Sequence, residues 1–159
     1  MKCVPFSRWH LRWLTLQPAQ AHMQADLADA EYGQSLEDAS ILAVTVLGKT
    51  GVIACGGVVP VWEDRGYLWG LLGKSTPGEF RGVHSAARML VDTCGLKRLE
   101  SYVEDGHAEG MRWLELLGFE CETMEPMRAF ANGRDCYMFS RISEPSARRC
   151  GSDREVNDV

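Results

Sequence analysis

Apolar positions recur along this chain at two different spacings. In "PAQAHMQADLADAEYG", Ala19, Met23, Leu27 and Ala30 return every three or four residues, which predicts a helix opened by Pro18 and closed by Gly33. Ser35 followed by Asp38 is a weak capping pattern for a short second helix over "SLEDAS". Further on, Phe80, Val83, Ala87, Leu90 and Cys94 form one stripe that ends at Gly95. Its start is strongly marked: Thr76 suits the N-cap, Pro77 the first helical position and Glu79 the third, a capping box with a favourable proline. A last helix, "GHAEGMRWLELLG", turns Met111, Leu114 and Leu117 inward, with Asp105 as its cap and Gly118 as its end.

Between these stretches the period shortens to two or gives way to runs of Val and Ile. "HLRWLTL" alternates as a first strand. "ILAVTVLGKTGVIACGGVVPVW" reads as two strands around a Gly48–Gly51 turn, and "GYLWGLLG" as a third after the polar turn Glu63-Asp64-Arg65. "KRLESYV", "FECETM" and "CYMFSRI" supply the rest, the last reached through a turn over Ala131, Asn132, Gly133, Arg134 and Asp135. The predicted order is β-α-α-β-β-β-α-β-α-β-β. That is an α/β fold with one mixed sheet and helices on both faces. The domain is expected over residues 1–142, followed by a polar tail, 143–159, too poor in apolar residues to fold by itself.

Composition narrows the function classes. The chain has 159 residues, enough for one domain with its own core, and a formal net charge of −5, which disfavours general nucleic-acid binding. No apolar run is long enough to span a bilayer, and the N-terminus carries no signal-peptide pattern, so a cytoplasmic protein with no membrane partner is expected. The cysteines, at 3, 55, 94, 121, 136 and 150, form no CxxC pair and have no histidine at ligand spacing, so reduced thiols and no metal are expected. "GLLGKST" looks like the end of a nucleotide-binding P-loop, but the first glycine of that pattern would fall on Leu68. The segment reads instead as a strand running into a helix start whose exposed N–H groups can attract an anion.

The element order and the late motif His107, Gly110, Trp113, Leu117-Gly118-Phe119 resemble the GCN5-related N-acetyltransferases (GNATs), and within them the short GNAT-like proteins of tailed phages, some of which lie inside the virion. The resemblance implies a GNAT-like sheet, mostly antiparallel, with a splayed central strand over Tyr67–Leu72. Its backbone would bond the pantetheine arm and acyl carbonyl of acetyl-CoA, the implied co-substrate. The family's pyrophosphate loop maps onto Arg81-Gly82-Val83-His84-Ser85-Ala86, with histidine at a key glycine. Because the capping box starts the helix earlier, Lys74, Ser75 and the N–H groups near Gly78 and Glu79 become the expected phosphate contacts. Leu114 stands where many members carry the tyrosine that protonates the departing thiolate.

The candidate site residues follow. Glu63 and Asp64, just before the central strand, are the carboxylates expected to relay a proton, with Tyr137 or Tyr102 replacing the missing acid. Leu71, Leu72, Gly73, Lys74, Ser75, Arg81 and His107 are the expected cofactor contacts. Each has an ordinary alternative: a solvated turn for Glu63 and Asp64, a surface histidine, half-buried strand tyrosines. Cys136 lacks the neighbouring base a nucleophile needs. The expected function is acetyl transfer from acetyl-CoA to an amine of a host protein or a small molecule. The competing expectation is a GNAT-shaped host-protein-binding or internal virion protein without catalysis. The sequence sets no oligomeric state.

Overall fold

The computed structural model describes residues 1–129 and 133–143. Part of the expected Ala131–Asp135 turn and the tail from Glu144 onward therefore lie outside the described residues. The regular elements are β1 (Lys2–Pro5), α1 (Ala30–Ala39), β2 (Leu42–Leu47), β3 (Val52–Trp62), β4 (Arg65–Leu72), α2 (Pro77–Thr93), β5 (Arg98–Glu104), α3 (Ala108–Leu116), β6 (Glu120–Cys121) and β7 (Cys136–Ile142). The strands form a single sheet of order β1-β2-β3-β4-β5-β7-β6, antiparallel except where β4 meets β5.

Alternation along the strands builds a core on each face. Leu68, Leu72, Leu99, Val103 and Phe139 face α2 and α3, meeting Val83, Leu90, Leu114 and Leu117. Tyr67, Trp69 and Leu71 turn the opposite way and pack under α1 and the segment before it, against Leu11, Leu14, Leu16 and Leu27. The helices predicted after β4 and β5 form where expected. Thr76 and Glu79 make both halves of the capping box at the start of α2. The cap of α3 is His107 rather than Asp105.

The N-terminal region departs from expectation. "HLRWLTL" is not a strand; Arg8–Trp13 is a 3-10 turn, and the first strand is the preceding Lys2–Pro5. Leu11 and Leu14 are buried three residues apart while Trp9 and Trp13 are exposed, a helical rather than a period-two pattern. The expected helix over 18–33 is two short 3-10 segments, Pro18–Met23 and Asp26–Ala28, and α1 begins only at the Asp29 cap, whose side chain accepts from Glu31 N–H. Gly33 does not close that helix. It sits inside α1, where a Cβ would come within 3.1 Å of Arg8 Cβ and 3.3 Å of Leu11 Cδ1. "SLEDAS" is mostly the last turn of the same helix.

At the closed end of the β4–β5 pair, Arg65 and Arg98 stand opposite each other, and carboxylates offset that repulsion. Buried Glu100 accepts from Arg65 Nε at 2.8 Å and from Arg98 Nε at 2.6 Å. Arg98 also forks onto Glu122 with two bonds of 2.8 Å, and Ser140 donates to the same carboxylate. Burial pushes the Glu100 carboxyl up, but the two arginines outweigh it and hold it below the usual range. Bonds from Arg98 and then Ser140 bring Glu122 down to about 2.

Two outcomes test this frame. Gly118 ends α3 with φ +86°, so Gly118→Val should cost about 1–3 kcal/mol in urea unfolding, and an unchanged midpoint would mean the helix ends elsewhere. Both carboxyls titrate lower in the folded than in the unfolded state, so their stabilisation is present above the unfolded value of about 4.3 and is lost as pH falls toward 2. The difference in melting temperature between wild type and Glu122→Gln should therefore hold above about pH 5 and shrink from there to pH 2. A constant difference would contradict the arrangement.

Candidate active site

β4 and β5 pair through only three registered positions, Arg65–Arg98, Gly66–Leu99 and Tyr67–Glu100, and then part. Ser101 Oγ donates to Leu68 O at 3.0 Å across the start of the gap. On its other edge β4 stays fully paired with β3 as far as Leu72. Gly73 N–H donates to Ile53 O, so odd-numbered residues of β4 aim their backbone groups at β3 and even-numbered ones aim theirs into the gap. Gly70 N–H thus points into the opening, without an acceptor among the described residues. A cavity of about 470 Å³ fills the gap and reaches both faces of the sheet. A Cβ on Gly70 would meet only Leu72 Cδ1, at 3.7 Å, so the space above that glycine is open.

The cavity walls are apolar and aromatic, including Leu68, Ala86, Ala87, Tyr67, Trp69 and Trp113. Burial, with Tyr32 and Tyr102 nearby, pushes the Tyr67 phenol up to about 12, and burial takes the Cys55 thiol to about 11. Both groups are neutral at physiological pH. Charge gathers where His22, Glu104, His107, Arg134 and Asp135 line the cavity. Glu104 forms an ion pair with Arg134, and His22 Nδ1 lies 3.9 Å from its other oxygen. Tyr102 lies against Tyr67 with ring centroids 5.5 Å apart. Cys136 also lines the cavity, its thiol pushed up by burial and by Asp135.

No family model and no curated protein sequence matches the chain. Solved structures do. An aminoglycoside 6'-acetyltransferase type Ii superposes with a TM-score of 0.65 at 18% identity, covering 92% of this chain and 99% of its own. A GNAT superfamily phosphinothricin acetyltransferase from Sinorhizobium meliloti, solved in complex with AcCoA, gives 0.64 at 16% identity over 92% and 94%. A ribosomal-protein-S5-alanine acetyltransferase from Vibrio fischeri gives 0.62 at 12% identity over 89% and 92%. The fold is the GNAT fold.

Within that fold the expected site residues separate. Leu72 and His107 line the cavity, as does Leu71 from the opposite face. Gly73 is buried under Leu14 and the Thr15 carbonyl, where a Cβ would come within 2.8 Å of that oxygen. Lys74 and Ser75 are exposed in the strand-to-helix loop, and Arg81 is exposed on α2. Glu63 and Asp64 do not reach the gap. They form the turn before β4, at its closed end, and Gly70 lies roughly 20 Å along the strand from Asp64. Tyr137 packs into the core on the α2–α3 side rather than lining the cavity. The polar residues that do converge, His22, Glu104, Arg134 and Asp135, carry no local motif. Among the described residues no group of three His, Cys, Asp or Glu could hold a metal, and no helix is long and apolar enough to cross a membrane.

The start of α2 differs from what the resemblance implies. Because α2 starts at Pro77, the Arg81–Ala86 segment is helix interior. His84 Nδ1 accepts from Trp113 Nε1 at 3.2 Å, a packing contact between α2 and α3. At the actual helix start, the Glu79 carboxylate already accepts from Thr76 N–H at 3.0 Å, from its hydroxyl at 3.0 Å and from Lys49 N–H at 3.1 Å. These bonds hold the Glu79 carboxyl below its usual range, so the helix start carries its own anion. Leu114 is buried in the core and brings no acid to the cavity. Thr76→Ala should cost about 1 kcal/mol in chemical unfolding and loosen the first turn of α2, and an unchanged stability would place the helix start later in the chain.

Proposed function

We propose that the chain transfers an acyl group, with acetyl-CoA as co-substrate, to an amine that enters beside Glu104. The observation that carries this reading is the parting of β4 from β5, which leaves Gly70 N–H aimed into an open apolar cavity. A fixed backbone donor in such a setting polarises a thioester carbonyl more strongly than water does. The arm-binding part of the site fits the co-substrate: a strand edge unpaired with β5, a cavity of about 470 Å³ and a glycine whose missing side chain leaves room. Acetyl-CoA would supply the activated acyl group. The chain's own residues hold the carbonyl at Gly70, exclude water with Leu68, Trp69 and Trp113, and accept the amine proton at His22, 3.9 Å from Glu104; as the C–N bond forms the C–S bond breaks, and coenzyme A leaves as a thiolate that takes its proton from water. Lys74 and Ser75 are the proposed phosphate contacts, with Arg81 further along α2. In keeping with the resemblance to phage proteins, the acceptor is an amine of a host protein or a small molecule.

A second reading has its own support. The helix start carries the Glu79 carboxylate where a pyrophosphate would sit, and Leu114 replaces an acid. Both features suit a GNAT-shaped binding or internal virion protein that keeps the fold without the reaction. Native mass spectrometry and calorimetry with acetyl-CoA separate the two. Under the first reading acetyl-CoA binds and raises the melting temperature by mass action. Gly70→Val should abolish that binding with little loss of stability, because valine suits a strand and its Cβ enters open space. Absence of binding by wild type at millimolar acetyl-CoA would leave the second reading standing.

A further inference from the structure

Along the open edge of β4 the chain lays a piece of itself. Gln20 Nε2 donates to Gly70 O at 2.8 Å, and Gln20 Oε1 accepts from Leu72 N–H at 2.9 Å. Gln17 N–H donates to Leu72 O at 2.8 Å. One side-chain amide therefore does what the N–H and C=O of a single residue on a neighbouring strand would do, satisfying a carbonyl and an N–H two residues apart. The segment that carries it is held at its two ends, on either side of the Pro18–Met23 turn. Gln24 Oε1 accepts from Leu16 N–H at 2.7 Å, its Nε2 donates to Leu14 O at 3.1 Å, and Leu16 bridges to Gly73. Gln17, Ala19, Gln20, His22 and Met23 all line the cavity, so this short turn forms part of its wall.

We propose that Gln20 is a displaceable latch that occupies the amide-binding edge of the cavity, and that ligands carrying an amide arm must eject it to bind. The inference rests on the reading of the gap as the place of an acyl thioester. The chemistry follows from the groups on β4. A carbonyl and an N–H facing an apolar cavity cost free energy when left unpaired, so in the unliganded chain a carboxamide covers them. The arm of an acyl-CoA carries two secondary amides, which between them offer an N–H donor and a C=O acceptor. It competes for Gly70 O and Leu72 N–H, while Gly70 N–H remains for the acyl carbonyl. The turn that bears Gln20 is suited to move. Its 3-10 geometry makes weaker hydrogen bonds than an α-helix, and Pro18–Met23 contributes no fully buried residue.

The test compares wild type with Gln20→Ala and Gln20→Met, the second keeping the length of the side chain while removing both bonds. Probes are acetyl-CoA and S-acetylpantetheine, which has the amide arm without the nucleotide. Calorimetry should show both probes binding the variants about tenfold more tightly, the order expected when two modest hydrogen bonds no longer have to be broken. Hydrogen exchange supplies a second readout. The Leu72 amide should exchange faster in both variants, while Gly73, bonded to Ile53, keeps its protection and shows that the fold is intact. Equal or weaker binding by variants that pass this exchange check would overturn the latch. Binding by wild type with no gain in the variants removes the latch alone. No binding of either probe to any of the three proteins removes the acyl-thioester reading as well.

Discussion

The structure depends on where β4 and β5 stop pairing. Parallel strands that stayed together would close the sheet, and no interior space would remain. Here the pair is pinned at one end and released at the other. The pin is electrostatic: Arg65 and Arg98, side by side, are drawn to Glu100, and Arg98 carries the link on to Glu122 on the far side of β7. Beyond Tyr67 that cluster has no counterpart, and Ser101 replaces the next rung of the ladder with a side-chain bond. The cavity, the orientation of Gly70 and the access of polar groups to both follow from that release.

Opening a sheet exposes backbone groups that must find partners. The solution on β4 is uneven. Leu68 O is taken by Ser101, Gly70 O and Leu72 N–H by Gln20, and Leu72 O by Gln17. Gly70 N–H is the exception, and it points into the cavity. The same segment that completes the β4 edge places His22 near Glu104. Support for the strand and access to the cavity are therefore governed by the same residues, 17–24.

The start of α2 is the other feature that sets this chain apart from what its resemblance implies. Moving the start of a helix by about two turns relocates every free N–H group it offers. The Thr76–Glu79 box makes that move, and Lys49 from the β2–β3 turn joins it. Residues such as Ser85 then bond within the helix, its hydroxyl donating to Arg81 O at 2.9 Å. A strong local capping signal claims for regular helix the stretch onto which the resemblance maps a phosphate loop.

What the sequence determined by itself was everything encoded over a few neighbouring positions. The hairpin of β2 and β3, the strand leading to Thr76, the capping box and the glycine ends of α2 and α3 were all legible, because each signal lies within about one turn or one reverse turn of where it acts. The resemblance added the parting of the central strand. Tertiary structure decided the rest. Gln20 meets Gly70 across 50 positions of sequence, and Glu104 meets Arg134 across 30, with nothing local in "PAQAHM" or "ANGRD" to announce either partner. Glu63 and Asp64 looked well placed because they adjoin the central strand in sequence, yet a strand carries its neighbours about 3.3 Å further away with each residue. The apolar spacing before α1 suggested one long helix, and packing around Leu11 and Leu27 broke it into short turns instead. Spacing along the chain fixes which face a residue takes, but the sheet alone decides what it faces.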